Sequence, residues 1–393
     1  MDLQAIEALN TDLDQFTGDI FKYLAYQGQR GYGRQYLRGL MLEGKRTSVE
    51  PMAARLGLPR QNLAHFLARA TWDYTEVMRR VAARALAVIK PAAWLIDDHP
   101  FLRCGHATAG AIVQHRGERG QHPCQVAVSV HAVSRTGSAP LHWRLFTPQP
   151  WADDPERRRK ARSRPGWRTA PSSRSPWTCS TSSSRGATRR LWSSPTATTA
   201  PTPGFRNALT ARNIRWLGAV NDDTTVLPVT GEPVSAWAKR QPAIGVGEPA
   251  TAHRACRFLY RPKTADHPAR SGWFVAARVH IAGIIERAHI ATTATRRLPE
   301  RTLLIQWRRK HGGGVFRAWI TDLPADTPLA VLVRHATSRW HIETDYREME
   351  QALGLGDFEG RAYAGFHHHV TLVSAAHLFC LEQRLNPKDQ RTV

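Results

Sequence analysis

The spacing of apolar residues divides the chain into a helical beginning, a strand-rich middle and a helical end. From about residue 13 to residue 90, apolar side chains such as Val77 and Val81 recur three or four positions apart, the period of an amphipathic helix. After Pro91 the pattern changes to short alternating runs, which are typical of strands. Helical spacing returns from about residue 328 to residue 385. The pattern predicts an α/β protein with an all-α N-terminal segment.

Three apolar runs predict the beginning of a sheet. The run AAWLIDD (residues 92–98) ends in two acids, CQVAVSVHAV (124–133) alternates, and LHWRLF (141–146) follows a Gly-Ser-Ala-Pro turn. Together they predict an antiparallel meander. Residues 203–220 then predict a helix followed by a strand. Further strand-like pieces reach residue 320 and surround three glycines (312–314) that predict a hairpin turn.

The stretch between these two strand-rich parts has no apolar period. Arg, Ser, Thr and Pro dominate from about residue 157 to residue 203, and no Asp or Glu occurs from Arg157 to Val220. A segment of this composition buries too little apolar surface to offset the entropy of ordering. We therefore predict a basic, disordered segment over about 161–203.

Part of the N-terminal region has the outline of a DNA-binding motif. The sequence predicts a helix that starts at Ser48, a turn at Gly57-Leu58-Pro59, and a second helix from about Gln61. This is the pattern of a helix-turn-helix, but an ordinary αα-hairpin has the same spacing. The sequence leaves both alternatives open.

Charge indicates a polyanionic partner. The chain has 393 residues with 55 Lys and Arg against 32 Asp and Glu, a formal charge of +23 and a pI near 10.8. This excess points first to nucleic acid. Five cysteines without a C-x-x-C pair suggest neither a disulfide framework nor a zinc ribbon. The acidic N-terminus and the lack of 18 consecutive apolar residues predict a cytoplasmic protein that does not act at a membrane.

Two stretches carry candidate chemistry. Asp97 and Asp98 end an apolar strand, although adjacent acids in that position often only begin a polar turn. In the predicted helix SRWHIETDYREMEQALG, one face carries residues spaced i, i+4, i+7 and i+11, namely Arg339, Glu343, Tyr346 and Glu350. The alternative is a salt-bridged surface stripe. Apolar residues that flank the stripe favour a position near a core edge.

Taken together, WLIDDHPFLRCG, the strands up to residue 160 and RWHIETDYREMEQALGLGDFEGRAYAGFHHHVTLVSAAHLF resemble the DDE transposases of bacterial insertion sequences. The resemblance covers about 90–160 and 320–382 closely and the N-terminal helices loosely. It implies an RNase H-like core, DNA as partner, a homodimer, and two Mg²⁺ ions held by three carboxylates for cutting and joining DNA. Three acids from separate elements are needed for such a metal pair.

The resemblance assigns roles to individual residues. Asp98 matches the first acid with Asp97 as its neighbour, so both are candidate metal ligands, and Glu343 matches the last acid of a Y-x2-R-x3-E-x6-K signature. Arg339 falls on the signature Arg and, with Arg347, is a candidate DNA contact. Two positions depart from the signature, since Ala336 replaces its Tyr and Glu350 replaces a Lys expected to contact phosphate.

The second acid is missing. In the family it follows the fourth strand in a sequence like V-V-A-D-S-D-Y-G-x-N-P, whereas residues 193–203 read SSPTATTAPTP. In a neighbouring reading frame the first two bases of each codon become the last two bases of another codon. A Ser codon can then overlap a Val codon, and a Thr codon can overlap one for Asp, Asn or Tyr. Likewise an Ala codon can overlap one for Ser or Gly, and a Pro codon one for Ala or Pro. Every position then allows VVADSDYGANP. We predict that about 161–203 is translated out of frame, the alternative being a natural basic insert.

Six segments follow from this interpretation: N-terminal helices (1–90), the first part of the core (91–160), the out-of-frame segment (161–203), a core helix and strand (204–223), a β-rich insertion (224–327) and a C-terminal helical part (328–393). The first hypothesis for function is a DDE transposase that is impaired by the lost acid. The second is a catalytically dead DNA-binding remnant. Asp222 and Asp223 are the nearest candidate replacements for the lost acid, and His367, His368 and His369 are predicted not to bind metal, because consecutive helix residues point in different directions.

Overall fold

The structure is a computed structural model. It describes residues 3–44, 47–102, 108–115, 121–161, 191–194, 203–220, 224–229, 241–242, 255–261, 268–281, 299–309 and 312–386. The chain separates into two compact units. Unit 1 comprises Met1–Pro91, Asp98–Thr169 and His341–Val393, and unit 2 comprises Ala92–Asp97 and Ala170–Trp340.

Helices dominate both ends of the chain, as the apolar spacing predicts. They are α1 Leu3–Ile20, α2 Gln27–Met41, α3 Val49–Leu56, α4 Arg60–Ala68, α5 Tyr74–Ile89, α6 Gln149–Ala152, α7 Pro155–Lys160, α8 Pro203–Ala211, α9 Leu329–Thr337, α10 Arg339–Leu353 and α11 Tyr363–Leu385. The strands are β1 Ala93–Leu102, β2 Ile112–His115, β3 Gln121–Val133, β4 Ser138–Leu145, β5 Leu191–Ser194, β6 Trp216–Ala219, β7 Thr225–Pro228, β8 Gln241–Pro242, β9 Cys256–Arg261, β10 Arg270–Ile281, β11 Glu300–Arg309 and β12 Gly312–Thr321.

Helix α11 lies at the centre of unit 1. Every residue from Gly365 to Phe379 is buried, and side chains such as Phe366, Val370 and Val373 are completely so. A helix of this kind needs cover all around, which α2, α4, α5 and β4 provide. The N-terminal helices therefore form one compact unit with the C-terminal helix.

The predicted helix pair in the N-terminal region is confirmed. Helix α3 ends at Gly57, which has a left-handed backbone with φ 64°, and α4 begins after Pro59. Glycine adopts a positive φ without the strain that a side chain causes. The two-helix geometry is therefore fixed by the sequence, while its contact with DNA stays a prediction.

Each unit contains part of a sheet. Strand β1 belongs to both units, since its residues up to Asp97 lie in unit 2 and those from Asp98 lie in unit 1. In unit 1, β4 pairs with β3 in antiparallel fashion, as predicted, and β3 is the neighbour of β1. In unit 2 the order is β1-β5-β6-β12-β11-β10-β7-β8, with β9 on β10. Strand β5 runs parallel to both β1 and β6. The successive orders β4-β3-β1 and β1-β5-β6 are those of an RNase H-like α/β fold, which confirms the expected fold class.

The described part of the segment 161–203 differs from its prediction. Leu191–Ser194 form β5, whose main chain pairs with β1 from Ala93 to Leu95 and with β6 from Trp216 to Gly218. The prediction of disorder is wrong for these four residues, because sheet pairing uses backbone groups that every sequence possesses. Residues 162–190 and 195–202, where most of that prediction falls, lie outside the described residues.

The core of unit 2 joins its sheet to one helix. Helix α9 places Leu332, Val333 and Ala336 against a cluster of buried strand residues, which are Ala93, Leu217, Phe274, Leu304 and Trp319. A hairpin is present here, since β11 and β12 are antiparallel and Arg309 pairs with Gly312, but glycines 312–314 lie in β12 and not in the turn that the sequence predicts for them. The strand-rich region predicted between residues 224 and 327 is thus a set of β-strands that continues the sheet.

Candidate functional site

Strand β1 presents its two acids on opposite sides. The odd-numbered residues from Ala93 to Phe101 are all buried, and Asp98 is only partly buried. Successive side chains of a strand point to opposite faces. Asp97, with 1 % of its surface exposed, therefore shares a face with His99, and Asp98 lies on the other face.

In unit 2, Asp97 forms an ion pair with the first residue of α10. The Nε atom of Arg339 lies 3.4 Å from Oδ2 of Asp97, and the two side chains are 28 % and 1 % exposed. A buried carboxylate is strongly disfavoured without a partner. Arg339 thus neutralises the charge of Asp97 through one of the donors of its guanidinium group.

In unit 1, the same side of β1 contacts α10 through His99. The His99 ring lies 4.3 Å from the ring of Tyr346, measured between centroids, and its Nε2 atom lies 3.0 Å from Oε1 of Glu350. The predicted stripe of α10 therefore faces a strand at Tyr346 and Glu350. Glu343 lies one turn before Tyr346 on this stripe, and its side chain is exposed.

A buried carboxylate fixes α10 to the sheet of unit 1. Asp345, 4 % exposed, accepts hydrogen bonds from Nδ1 of His131 on β3 at 2.8 Å and from Oγ of Ser138 on β4 at 2.7 Å. The hydroxyl groups of Ser129 and Tyr346, 2.7 Å apart, add a second link. These contacts determine the rotation of α10 about its axis, and therefore the direction in which Glu343 projects.

The sequence prediction missed Asp345 and its partners. The signal was available, since Asp345 occupies the apolar side of an amphipathic helix. Ser129 and His131 occupy alternate positions in the stretch 126–133, whose other residues are apolar. Buried polar groups at such positions almost always have hydrogen-bond partners.

Burial and ion pairs change several pKa values around α10. Burial lowers the pKa of His341, two residues before Glu343, to about 4. Burial also lowers the pKa of His131, although its hydrogen bond to Asp345 opposes this. The hydrogen bond from His377 and those from Arg384 lower the pKa of Glu348 to about 2. At neutral pH the imidazoles of His341 and His131 are therefore neutral and Glu348 is ionised.

The C-terminal end of α10 requires a glycine. Gly354 has φ 62°, and a β-carbon there would overlap Oγ1 of Thr47 at 1.5 Å. The N–H of Leu355 donates to the carbonyl oxygen of Met349, six residues before it, and so satisfies a carbonyl group of the last turns of the helix. The helix that carries Glu343 is thus held at its end as well as at Asp345.

The remaining predicted residues are distributed as follows. Arg347 lies one turn after Glu343 and is half-buried. Ala336, where the signature has Tyr, is buried in the core of unit 2. Asp222 and Asp223 lie outside the described residues. Within the part of the chain that the structure describes, no group of three or more His, Cys, Asp or Glu side chains is arranged to hold a metal ion.

The three consecutive histidines of α11 bind other parts of unit 1. Nδ1 of His368 lies 2.7 Å from the carbonyl oxygen of Leu67, and Nε2 of His369 lies 3.1 Å from that of Gly354. His367 contacts the carbonyl oxygen of Tyr363. Each of the three imidazoles thus contacts a different backbone carbonyl group, and the three side chains point in different directions.

The comparisons with known proteins agree with the fold. Residues 19–279 match the family model described as DDE superfamily endonuclease, which is more than half of the chain. A search among curated proteins finds no match. No helix in the described part of the chain is both long enough and apolar enough to span a bilayer.

Proposed function

Because the chain belongs to the DDE superfamily of endonucleases, we propose that it is a transposase of an insertion sequence whose DNA cleavage and strand transfer are impaired. A pair of divalent metal ions would supply the Lewis acidity for phosphodiester cleavage in such an enzyme. The proposed ligands in this chain are Asp98 and Glu343, with Asp97 beside them. Arg339 and Arg347 are the proposed DNA contacts near these acids.

The contact of His99 with Tyr346 and Glu350 carries this proposal. It makes β1 and α10 neighbours within unit 1, so that the elements bearing the first and last acids lie side by side. Glu343 is exposed on the same stripe of α10, where a nucleic acid has access to it. The alternation of β1 favours Asp97 over Asp98 as the acid on the His99 face, and the experiment below separates the two.

The residues present do not fit a complete metal pair. No set of three suitable side chains lies within the described residues, and Asp97 is engaged by Arg339. The end of β5 is where the family places its second acid, yet the sequence from Pro195 to Thr202 contains no Asp or Glu. We infer that this deficit results from a shifted reading frame over about 161–203.

The second candidate function is a DNA-binding remnant without catalysis. The pairing of Glu350 with His99 favours it, because a carboxylate occupies the position at which the resemblance expects a phosphate-binding lysine. Such a protein keeps its net charge of +23 and therefore its attraction to DNA. The two candidates differ only in residual cleavage.

Nicking of supercoiled plasmid in Mg²⁺ and in Mn²⁺ separates these functions. We expect the unchanged chain to nick the plasmid weakly, and we expect Glu343→Gln to abolish this nicking. Of Asp97→Asn and Asp98→Asn, the variant that abolishes nicking identifies the first acid. Glu359→Gln, an exposed acid beyond α10, serves as the control. Nicking that survives Glu343→Gln contradicts the nuclease assignment, and complete absence of nicking in all proteins selects the remnant.

A further inference from the structure

Helices α3 and α4 of unit 1 form a pair that the proposed function does not use. They have eight and nine residues, and three residues form the turn between them. Gly57 in this turn has φ 64°, and the N–H of Leu58 donates to the carbonyl oxygen of Ala53 at 2.9 Å, a bond that closes the end of α3. Two short helices joined by a three-residue turn with a glycine are typical of the helix-turn-helix motif of DNA-binding proteins.

One side of this helix pair lies in the core of unit 1. Its apolar side chains are at most 3 % exposed, and they are Met52 and Ala53 on α3 and Leu63, Phe66 and Leu67 on α4. Helices α2 and α11 pack against α4. Because the apolar residues of α4 recur at i, i+3 and i+4, the helix has a defined opposite side that does not enter the core.

The opposite side of α4 is polar and exposed. Gln61 and His65 lie one turn apart on it, and Arg69 follows at the C-terminal end of the helix. Within the described part of the chain, these three side chains make neither a hydrogen bond nor an ion pair. Helix α4 contains no Asp or Glu, and its first residue, Arg60, lies 3.8 Å from Glu50 of α3 in an ion pair that is largely exposed and therefore weak. A face of this composition complements a polyanion that offers hydrogen-bonding groups.

We propose that α4 reads base sequence in the major groove of duplex DNA. This groove is about 12 Å wide and admits one α-helix with its side chains. In a helix-turn-helix the second helix enters the groove, and residues near its N-terminus contact the base edges. Gln61 is the second residue of α4, and its amide group donates and accepts hydrogen bonds in the pattern that adenine presents. The partner is the DNA of the proposed function, on which this inference rests.

Reading by α4 gives the chain a sequence preference, which its net charge cannot supply. The charge of +23 attracts every DNA, because phosphate groups are the same at each position of the duplex. Base edges differ from one pair to the next, and a side chain can distinguish them only from a fixed position. The buried side of α4 holds the helix in such a position.

The test selects duplexes from a pool with a randomised central segment. The full chain binds the pool in EDTA, so that no metal-dependent cleavage occurs, and the bound duplexes are sequenced. We expect one short sequence to be enriched. In Gln61→Ala the preference at one position of that sequence is expected to disappear, and the affinity for the selected duplex to fall about 5- to 150-fold, the range for one good base contact. The affinity for unselected duplexes is expected to stay the same.

Gln61→Arg tests for a change of specificity that a merely structural role does not produce. Arginine pairs with guanine, so this variant is expected to change the preferred base at that position to guanine. Gln27→Ala and Gln27→Arg are the matched controls, since Gln27 is also an exposed glutamine at the beginning of a helix of unit 1. Both controls are expected to keep the sequence preference of the unchanged chain. Thermal unfolding of each variant verifies that it is folded.

The outcomes separate this inference from the proposed function. A sequence preference that neither variant of Gln61 alters, or that Gln61→Ala weakens equally at every position, overturns the assignment, and α3 and α4 are then an ordinary αα-hairpin. Binding without any enriched sequence also overturns it and leaves the proposed function intact. A preference that depends on Gln61 in a chain that never nicks plasmid supports the role of α4 and removes the nuclease. A chain that binds no duplex overturns both.

Discussion

The Nε2 atom of His99 lies 3.0 Å from Oε1 of Glu350 and joins strand β1 to helix α10. This contact occupies the place where the family signature has a lysine. The charge at that position is therefore reversed and also bound to the protein's own histidine.

We expect Glu350→Lys to strengthen DNA binding. The slope of log K against log salt concentration is expected to become steeper by about 1. The change replaces a carboxylate by an ammonium group on the stripe next to Glu343. Loss of the contact with His99 costs at most about 1 kcal/mol, because Glu350 is half exposed. Glu350→Gln is the control that removes the negative charge without adding a positive one, and equal salt slopes for the two variants contradict the prediction.

Restoring an acid after β5 is expected to raise activity. Thr196 stands two residues after the end of β5, at the position where the shifted frame permits the first Asp of the family motif. We predict that Thr196→Asp increases Mg²⁺-dependent plasmid nicking by about tenfold or more, the scale on which groups that support a metal change activity. Thr202→Asp adds the same charge where the shifted frame permits Asn. Equal nicking by these two variants counts against a shifted reading frame.

Two acids of α10, two residues apart, are expected to differ in their effect on stability. Asp345→Asn disrupts buried hydrogen bonds with His131 and Ser138, and we expect a loss of about 1–3 kcal/mol in the free energy of unfolding. Glu343→Gln alters an exposed group and is expected to change it by less than about 0.5 kcal/mol. Urea denaturation measures both. Comparable losses would mean that Glu343 has a structural role.

Stability is expected to fall when the pH drops below about 6.5. Burial lowers the pKa of His367 to about 3, while its Nδ1–H donates to the carbonyl oxygen of Tyr363. The folded pKa lies below the unfolded value of about 6.5, so the unfolded chain takes up the proton first, and the contribution of His367 is present above pH 6.5 and lost as the pH falls towards 3.

Between about pH 7.5 and pH 5.5 this linkage amounts to about 1.4 kcal/mol. His367→Gln removes it and is expected to flatten the pH dependence by that amount in urea denaturation. His65→Gln, a change of an exposed histidine on α4, is the control and should retain the full dependence. An unchanged pH dependence in His367→Gln would show that this imidazole does not titrate as inferred.

The sequence predicts the order and type of the elements well because their patterns are local. The helices at both ends, the β3–β4 hairpin and the stripe of α10 follow from periods of 3.6 and 2. Strand β5 could not be predicted, because its place depends on the two neighbouring strands and not on its own composition. Pairing between distant strands supplies information that a local window lacks.

The sequence predicts only part of the candidate site, because contacts between distant residues are not visible in a local sequence window. Short motifs predict Asp98, Glu343 and Arg339 as site residues, and this stays a prediction. They do not reveal that Asp97 and Arg339 form an ion pair or that Asp345 anchors the helix. Those relationships join residues more than 200 positions apart in the chain. Only the folded backbone brings them together.

The central position of α11 has a consequence for the order of synthesis. Helices α2, α4 and α5 leave the ribosome before the helix that covers their apolar faces, which begins only at Tyr363. Until then these faces stay open to chaperones and proteases. A chain that terminates before this helix, through a shifted frame or a premature stop, never completes unit 1. Such a chain is consequently expected to be degraded and to have no partial function.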